Sequence, residues 1–311
     1  MHAELVVPGL LAAAQGPRLA SAELLLARGR SSRAERVSVE RWLHDAFGLE
    51  GEDLPAGALT ALSRGEAAEG FLVRADPVHL RLMREHIAVV PGAALSVSRA
   101  EAETLAAAIN AHFAGRLEVR VADPLRWWAR LSEPLGVNPE PALEHAGREL
   151  RPGGAGDALA TEIQMLLHAH PVNEAREVRG EPTINGLWLW GGGAAPKDVQ
   201  SRWQSVTADD PVALGLAQAA KSRGRALPAS ADAWLERLPE DGRQLLLLDA
   251  LRPPIALEQA WFAPLLVALR GGRIGMLTVH VPDSGVSFET IRADLRRLWR
   301  RPRPLREHDR E

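Results

Sequence analysis

The chain has 311 residues, 46% of them hydrophobic and 25% charged, an ordinary globular composition with room for one large domain or two small ones. A formal net charge of −3 excludes the strong basic excess of a protein that coats nucleic acid. The absence of cysteine excludes disulfides, iron–sulfur clusters, cysteine-ligated zinc and a thiol nucleophile, and no apolar run is as long as a membrane span.

The opening MHAELVVPGLLAAAQGP carries Glu4 where a secretory leader carries basic residues, and Pro8-Gly9 break its apolar run. It is expected to form a buried strand at 5–7 and a turn, in a soluble cytoplasmic protein. Residues 33–47 place Val37, Val39, Trp42, Leu43 and Phe47 at helical spacing. A loop at 48–57 and a short helix at 58–64 follow. GFLVRA at 70–75 reads as a strand closed by Asp76-Pro77, because the residue before a proline favours extended geometry. A second strand is predicted at 87–90. The segment 98–113 is a helix with Ser98 as N-cap and Glu101 three residues on. Residues 117–121 alternate as a half-buried strand, and 132–157 are irregular and rich in Pro, Gly and Glu.

A helix at 157–168, stopped by Pro171, precedes the strand in TINGLWLWGGG, residues 183–193. Helices follow at 210–223 and 231–238, a wholly apolar strand at 245–248, a helix at 261–269 and a strand at 274–281. A last helix is predicted at 288–299, before an arginine-rich tail. This alternation predicts an α/β fold: a mostly parallel, doubly wound sheet flanked by helices, with a smaller inserted or N-terminal mixed subdomain. The chain reads as one α/β unit, with a subdivision into a mixed part at about 1–130, an irregular linker at 131–160 and an α/β part at 161–311.

Several stretches carry residues capable of chemistry. Trp188 and Trp190 are two apart and share a strand face, and Gly191, Gly192 and Gly193 follow where a parallel strand meets its ligand. Glycines there let backbone N–H groups approach an anion; the other reading is a tight crossing beside tryptophans that fill core. Asp76 and His79 are candidates for metal or acid–base work, or cap and pack on a turn. In TEIQMLLHAHPVNEAREVRG, Glu162, His168, His170 and Asn173 form a histidine–carboxylate-rich cluster, although its spacing matches no standard metal helix and a capping role explains the histidines. Asp209, Asp210, Asp249 and Asp283 follow predicted strand ends. Gathered on one edge they would suit a divalent metal; singly they are turn or helix caps. The tail LRRLWRRPRPLREHDRE interleaves arginine with Trp and Pro, but mixes in acids.

Taken together, ADPVHL at 75–80, the EIQMLLHAHPVNEAREVRG block, INGLWLWGGG and LWRRPRPL resemble the RpfE-type bacterial regulatory proteins, which are cofactor-independent phosphoglycerate mutase-like. The resemblance runs from about residue 70 to the end and is strongest over 161–193. The tryptophan strand is also similar to the WLWGQG strand of archaeal-type cofactor-independent phosphoglycerate mutases, relatives of alkaline phosphatase. The resemblance implies a doubly wound α/β fold and a phosphomonoester site with two divalent metals and a serine nucleophile. The chain departs from that pattern. Pro8-Gly9 stands where the superfamily has Asp-Gly, and HVPDSG places His280 before the aspartate with no histidine after the glycine.

The leading expectation is therefore a non-catalytic regulatory or ligand-binding pseudoenzyme with no cofactor. Its partner would be a protein or a small anionic metabolite, held near Asp76, His79, Glu162, His170, Asn173, Asn185, Trp190 and the three glycines. One alternative is a metal-dependent mutase or phosphatase that binds manganese or magnesium through Asp76, His79, Glu162, His170, Asp209, Asp210 and Asp249. Another is an interaction module built on the tail. No membrane partner is expected, and the net charge argues against nucleic acid.

Overall fold

A computed structural model describes the chain except for residues 13–16, 52, 83–86, 139, 146–156, 238–240, 249–252 and 309–311. Contacts divide it into two compact units: residues 1–48 with 199–311, and the continuous segment 49–198. The predicted limits at about 130 and 160 both fall inside the second unit. Among the described residues no helix is long and apolar enough to cross a membrane.

In chain order, β1 (His2–Val6), α1 (Ala20–Arg28), β2 (Arg30–Arg33) and α2 (Val39–Ala46) open the first unit. The second unit holds α3 (Ala56–Ser63), β3 (Phe71–Leu82), β4 (Ile87–Pro91), α4 (Arg99–His112), β5 (Leu117–Asp123), β6 (Arg126–Leu131), α5 (Asp157–His168), α6 (Pro171–Val178) and β7 (Gly186–Gly193). The first unit then resumes with β8 (Ser205–Thr207), α7 (Pro211–Ala219), β9 (Arg223–Arg225), α8 (Ala231–Glu236), β10 (Arg243–Leu247) and α9 (Pro254–Leu257). A π-helical turn, Glu258–Phe262, joins α9 to α10 (Ala263–Gly271), and β11 (Met276–Val281) and β12 (Val286–Ile291) follow.

The first unit is a seven-stranded sheet of order β2-β12-β11-β1-β10-β8-β9. β11, β1, β10, β8 and β9 run parallel, and β12 and β2 form an antiparallel edge. Ala3, Leu5 and Val7 bury one face against Leu25 of α1, Trp234 of α8 and Leu265 of α10, while Trp42 of α2 stacks beside His280 on the other. Helices thus cover both faces, as the alternation predicts.

The last predicted helix, 288–299, is a correction. Residues 286–291 form β12, a hairpin partner of β11 whose side chains alternate buried and half-buried. The period of two in VSFETI outweighs the helical spacing of Phe288, Leu295 and Trp299. The hairpin turn needs Gly285, which sits at φ 64°, and a side chain there would strike the carbonyl of Ala34.

The second unit is a five-stranded antiparallel sheet. β4, β3, β6 and β5 lie in that order and β7 pairs with β3. Arg74 pairs with both β6 and β7, and Val78 with both β4 and β7, so β7 takes one edge of β3 while β6 and β4 share the other. Two expectations change here. Asp76-Pro77 does not close the strand: β3 runs on to Leu82, with Pro77 in the gap between the stretches paired to β6 and β4. Nor does β7 belong to a parallel sheet, so its glycines do not mark a parallel strand's ligand-facing end. Pro171 stops α5 less than it starts α6, taking the first helical position behind His170 as N-cap.

Candidate functional site

The tryptophan strand shows what its pattern is for. Trp188 and Trp190 share a face of β7, opposite Asp76 and Arg74 of β3. Arg74 is 3% exposed and pairs with Asp76 at 2.6 Å. The Trp190 indole N–H donates to the other Asp76 oxygen at 2.7 Å, and the Arg74 guanidinium lies 5.3 Å from the Trp190 ring centre. The backbone N–H of Trp127 also donates to Asp76, and Arg74 donates to the Trp127 carbonyl. Burial pushes the Asp76 carboxyl above its ordinary range; the charge of Arg74 and the bond from Trp190 pull it back in part. A buried ion pair of this kind is tolerated because its remaining polar positions are filled.

The glycines that follow form a bulge. Arg74 faces Trp190 but Leu72 faces Gly193, so β7 carries one extra residue, and Gly191 adopts φ 55°. A Cβ on Gly191 would come within 2.6 Å of Ala56 Cβ, the first residue of α3. The bulge lets the start of α3 approach β7 closely at Gly191.

The other predicted residues of this unit are each engaged. His79 Nδ1 lies 2.9 Å from the Thr183 carbonyl. Asn185 bonds both backbone groups of Leu80, at 2.7 and 2.9 Å. Asn173 is 1% exposed; it donates to the carbonyls of Leu167 and Ile184 and accepts from the Ile184 N–H. His170 accepts from the Val172 N–H at 3.2 Å as the cap of α6. Glu162 pairs with His112 at 3.1 Å and Arg116 at 3.3 Å, on the surface, and the bond to His112, then Arg116, lowers its pKa. Among the described members of the predicted set, Asp76 and Trp190 bond through their side chains, and the Asn173 N–H donates to the His170 carbonyl at 2.8 Å within the cap of α6.

In the first unit, Asp210 caps α7 by accepting the Ala213 N–H at 3.0 Å. Asp209 accepts the Leu227 N–H at 3.3 Å, and Asp283 accepts the Gly9 N–H at 2.9 Å. Asp249 lies outside the described residues. Among the described residues no three His, Asp or Glu side chains are grouped to hold a metal.

One polar cluster escaped the sequence reading. Glu4, in the central strand β1, is 2% exposed. Arg202 donates to its Oε2 at 2.8 Å and His280 Nε2 lies 3.4 Å from the same oxygen; His2 and Arg243 approach Oε1 at 3.8 and 3.9 Å. Burial pushes the Glu4 carboxyl up, but the His280 bond and Arg202 outweigh it and hold it at about 2. The His280 Nδ1 stands 2.8 Å from Ser287 Oγ. A carboxylate only accepts, so the contact with Glu4 requires an N–H on Nε2 of His280, and in that neutral tautomer Nδ1 accepts a hydrogen bond from the Ser287 hydroxyl.

Serine, histidine and glutamate in that order have the connectivity of an acyl-transfer relay. Such a site also needs donors aimed at the developing oxyanion. Ser287 lies in mid-strand, paired to His280 of β11 on one edge and Ser32 of β2 on the other, which commits the neighbouring amides to the ladders. The cluster is a charge-neutralising network around a buried carboxylate. The signal was available: in HAELVV the alternation places Glu4 on a strand face next to apolar residues.

No protein-family profile matches the chain, and no curated protein does. Among solved structures it is similar to the cofactor-independent phosphoglycerate mutase from Thermoplasma acidophilum DSM 1728, at 18% identity over 93% of this chain and 89% of that chain, with a TM-score of 0.45. It is also similar to the PH0037 protein from Pyrococcus horikoshii, at 13% identity over 93% of this chain and 87% of that one, with a TM-score of 0.57. The second likeness is one of fold.

Proposed function

We propose that the chain is a non-catalytic regulatory or ligand-binding protein on a phosphoglycerate mutase-like scaffold. The observation that carries this reading is the use made of the carboxylates beyond the parallel strands. Asp283 holds the Gly9 amide, Asp210 caps α7 and Asp209 holds the Leu227 amide. Phosphoryl transfer on metals depends on several such groups converging on the ions instead. The scaffold itself rests on the sequence resemblance of the 161–193 block. Asp76, His79, His170, Asn173 and Asn185 are likewise spent on strand and helix contacts, which moves the ligand site of this reading away from them.

The test is turnover of 3-phosphoglycerate and of a generic phosphomonoester by the full chain, with manganese or magnesium and after EDTA treatment. This reading expects no turnover above background in either condition. Activity that appears with metal and disappears with EDTA would establish the metal-dependent enzyme instead.

A further inference from the structure

The first unit contains a cleft of about 730 Å³ between the C-terminal end of α1, strands β2 and β12, and the chain beyond residue 298. Its volume lies in the range of small-molecule sites. Arg33, Arg300, Arg301 and Arg303 line it, and among the described residues no carboxylate does. Arg303 has a contact of its own; Arg300 donates to the Gly29 carbonyl at 2.6 Å and Arg33 reaches the His308 carbonyl at 3.5 Å, each through a single donor. A guanidinium has five N–H donors in a planar fork, so most of their donor capacity remains for a ligand. Arg301 is solvent-exposed and makes no ion pair among the described residues. Four like charges around one concavity repel one another, and a multivalent anion relieves that repulsion while accepting paired N–H bonds.

The lining is not only basic. Val286 and Phe288 supply an apolar floor, and Trp299 stands at the cleft with 78% of its surface exposed. An exposed indole beside guanidinium groups is a stacking platform for a flat aromatic ring. In a chain of net charge −3 this concentration of arginine is local, and the apolar floor gives a simple inorganic anion nothing to cover.

We infer that this cleft binds a nucleoside polyphosphate, its phosphates on Arg301 and the neighbouring arginines and its base against Trp299. The inference rests on the reading of the chain as a binding protein and gives that protein a ligand class.

The experiment is calorimetric titration of the full chain with ATP, and separately with inorganic pyrophosphate and adenosine. ATP is expected to bind below millimolar concentration, more weakly as salt rises, and more tightly than pyrophosphate or adenosine. Arg301→Ala should weaken ATP and pyrophosphate alike, by about tenfold. Trp299→Ala should weaken ATP and leave pyrophosphate unchanged. Both side chains are exposed, so the variants should keep the circular dichroism and melting temperature of the parent. Absence of ATP binding at millimolar concentration, or an unchanged Kd in Arg301→Ala, overturns the site. Pyrophosphate binding as tight as ATP, or an unchanged ATP affinity in Trp299→Ala, overturns the assignment of the base. Metal-dependent turnover in the assays above would overturn the non-catalytic reading and leave these affinities as they are, so the two failures are distinguishable.

Discussion

Asp76 carries the sharpest residue-scale prediction. If it serves the fold, Asp76→Ala leaves Arg74 buried without its partner and takes the acceptor from Trp190. Breaking a buried pair from one side costs about 3–5 kcal/mol, to be read by urea denaturation; a change within about 0.5 kcal/mol would show that Asp76 is a ligand residue set in an indifferent frame. Glu4 gives a pH prediction. Its carboxyl falls from 4.5 in the unfolded chain to about 2 in the folded one. A lowered folded pKa stabilises fully above the unfolded value, and that stability is lost as pH falls from about 4.5 towards 2. Arg202, Arg243, His2 and His280 face the carboxylate from three strands and the segment before β8. Glu4→Gln should therefore lower stability at pH 7 and flatten its dependence between pH 5 and 3; a parallel shift of the whole curve would contradict the assignment. Neither residue's role was readable from its neighbours in sequence. Asp76 stood out as a polar residue before a proline, but its partners Arg74, Trp190 and the Trp127 amide come together only through strand pairing. Glu4 is held by residues up to 276 positions away.

At the scale of elements, what was legible was local. Ser98 and Glu101 form the capping box that their spacing announces, with both reciprocal bonds present. The apolar run 245–248 is a buried strand as read, because periodicity and β-branched or leucine-rich composition act within a few residues. What failed depended on distant partners: β12 is a strand because β11 and β2 flank it, and the glycines of β7 form a bulge because α3 approaches there. The close approach is testable. A Cβ on Gly57 would lie inside the backbone of Val73, and one on Gly191 would meet Ala56 in a residue already at positive φ. Each single substitution to alanine should cost about 1–3 kcal/mol, seen as a lower melting temperature, whereas alanine at Gly271, which has nothing within 4 Å, should not lower it. A second clamp joins helices: Arg176, fully buried, bonds Glu101 of α4 at 3.1 Å, the Pro182 carbonyl at 2.8 Å and the carbonyl of Leu95. Arg176→Met should destabilise the second unit by more than any exposed substitution on α6, such as Glu177→Ala, when the two are compared by denaturant midpoint.

At the scale of the whole molecule, the α/β class follows from the strand and helix alternation of the chain's second half, and the parallel sheet of the first unit bears that out. The units themselves were not legible, since residues 1–48 join 199–311 by pairing β1 with β10 and β11 across more than two hundred residues. The account's central claim is that the acids beyond the parallel strands hold backbone amides and not metal ions. The most direct test is metal content per chain, by mass spectrometry, after purification without an affinity metal, supplementation with manganese and gel filtration. The account predicts a content well below one ion per chain. Retention of about two ions per chain, the complement of a two-metal phosphoryl-transfer site, would contradict it and favour the metal-dependent enzyme.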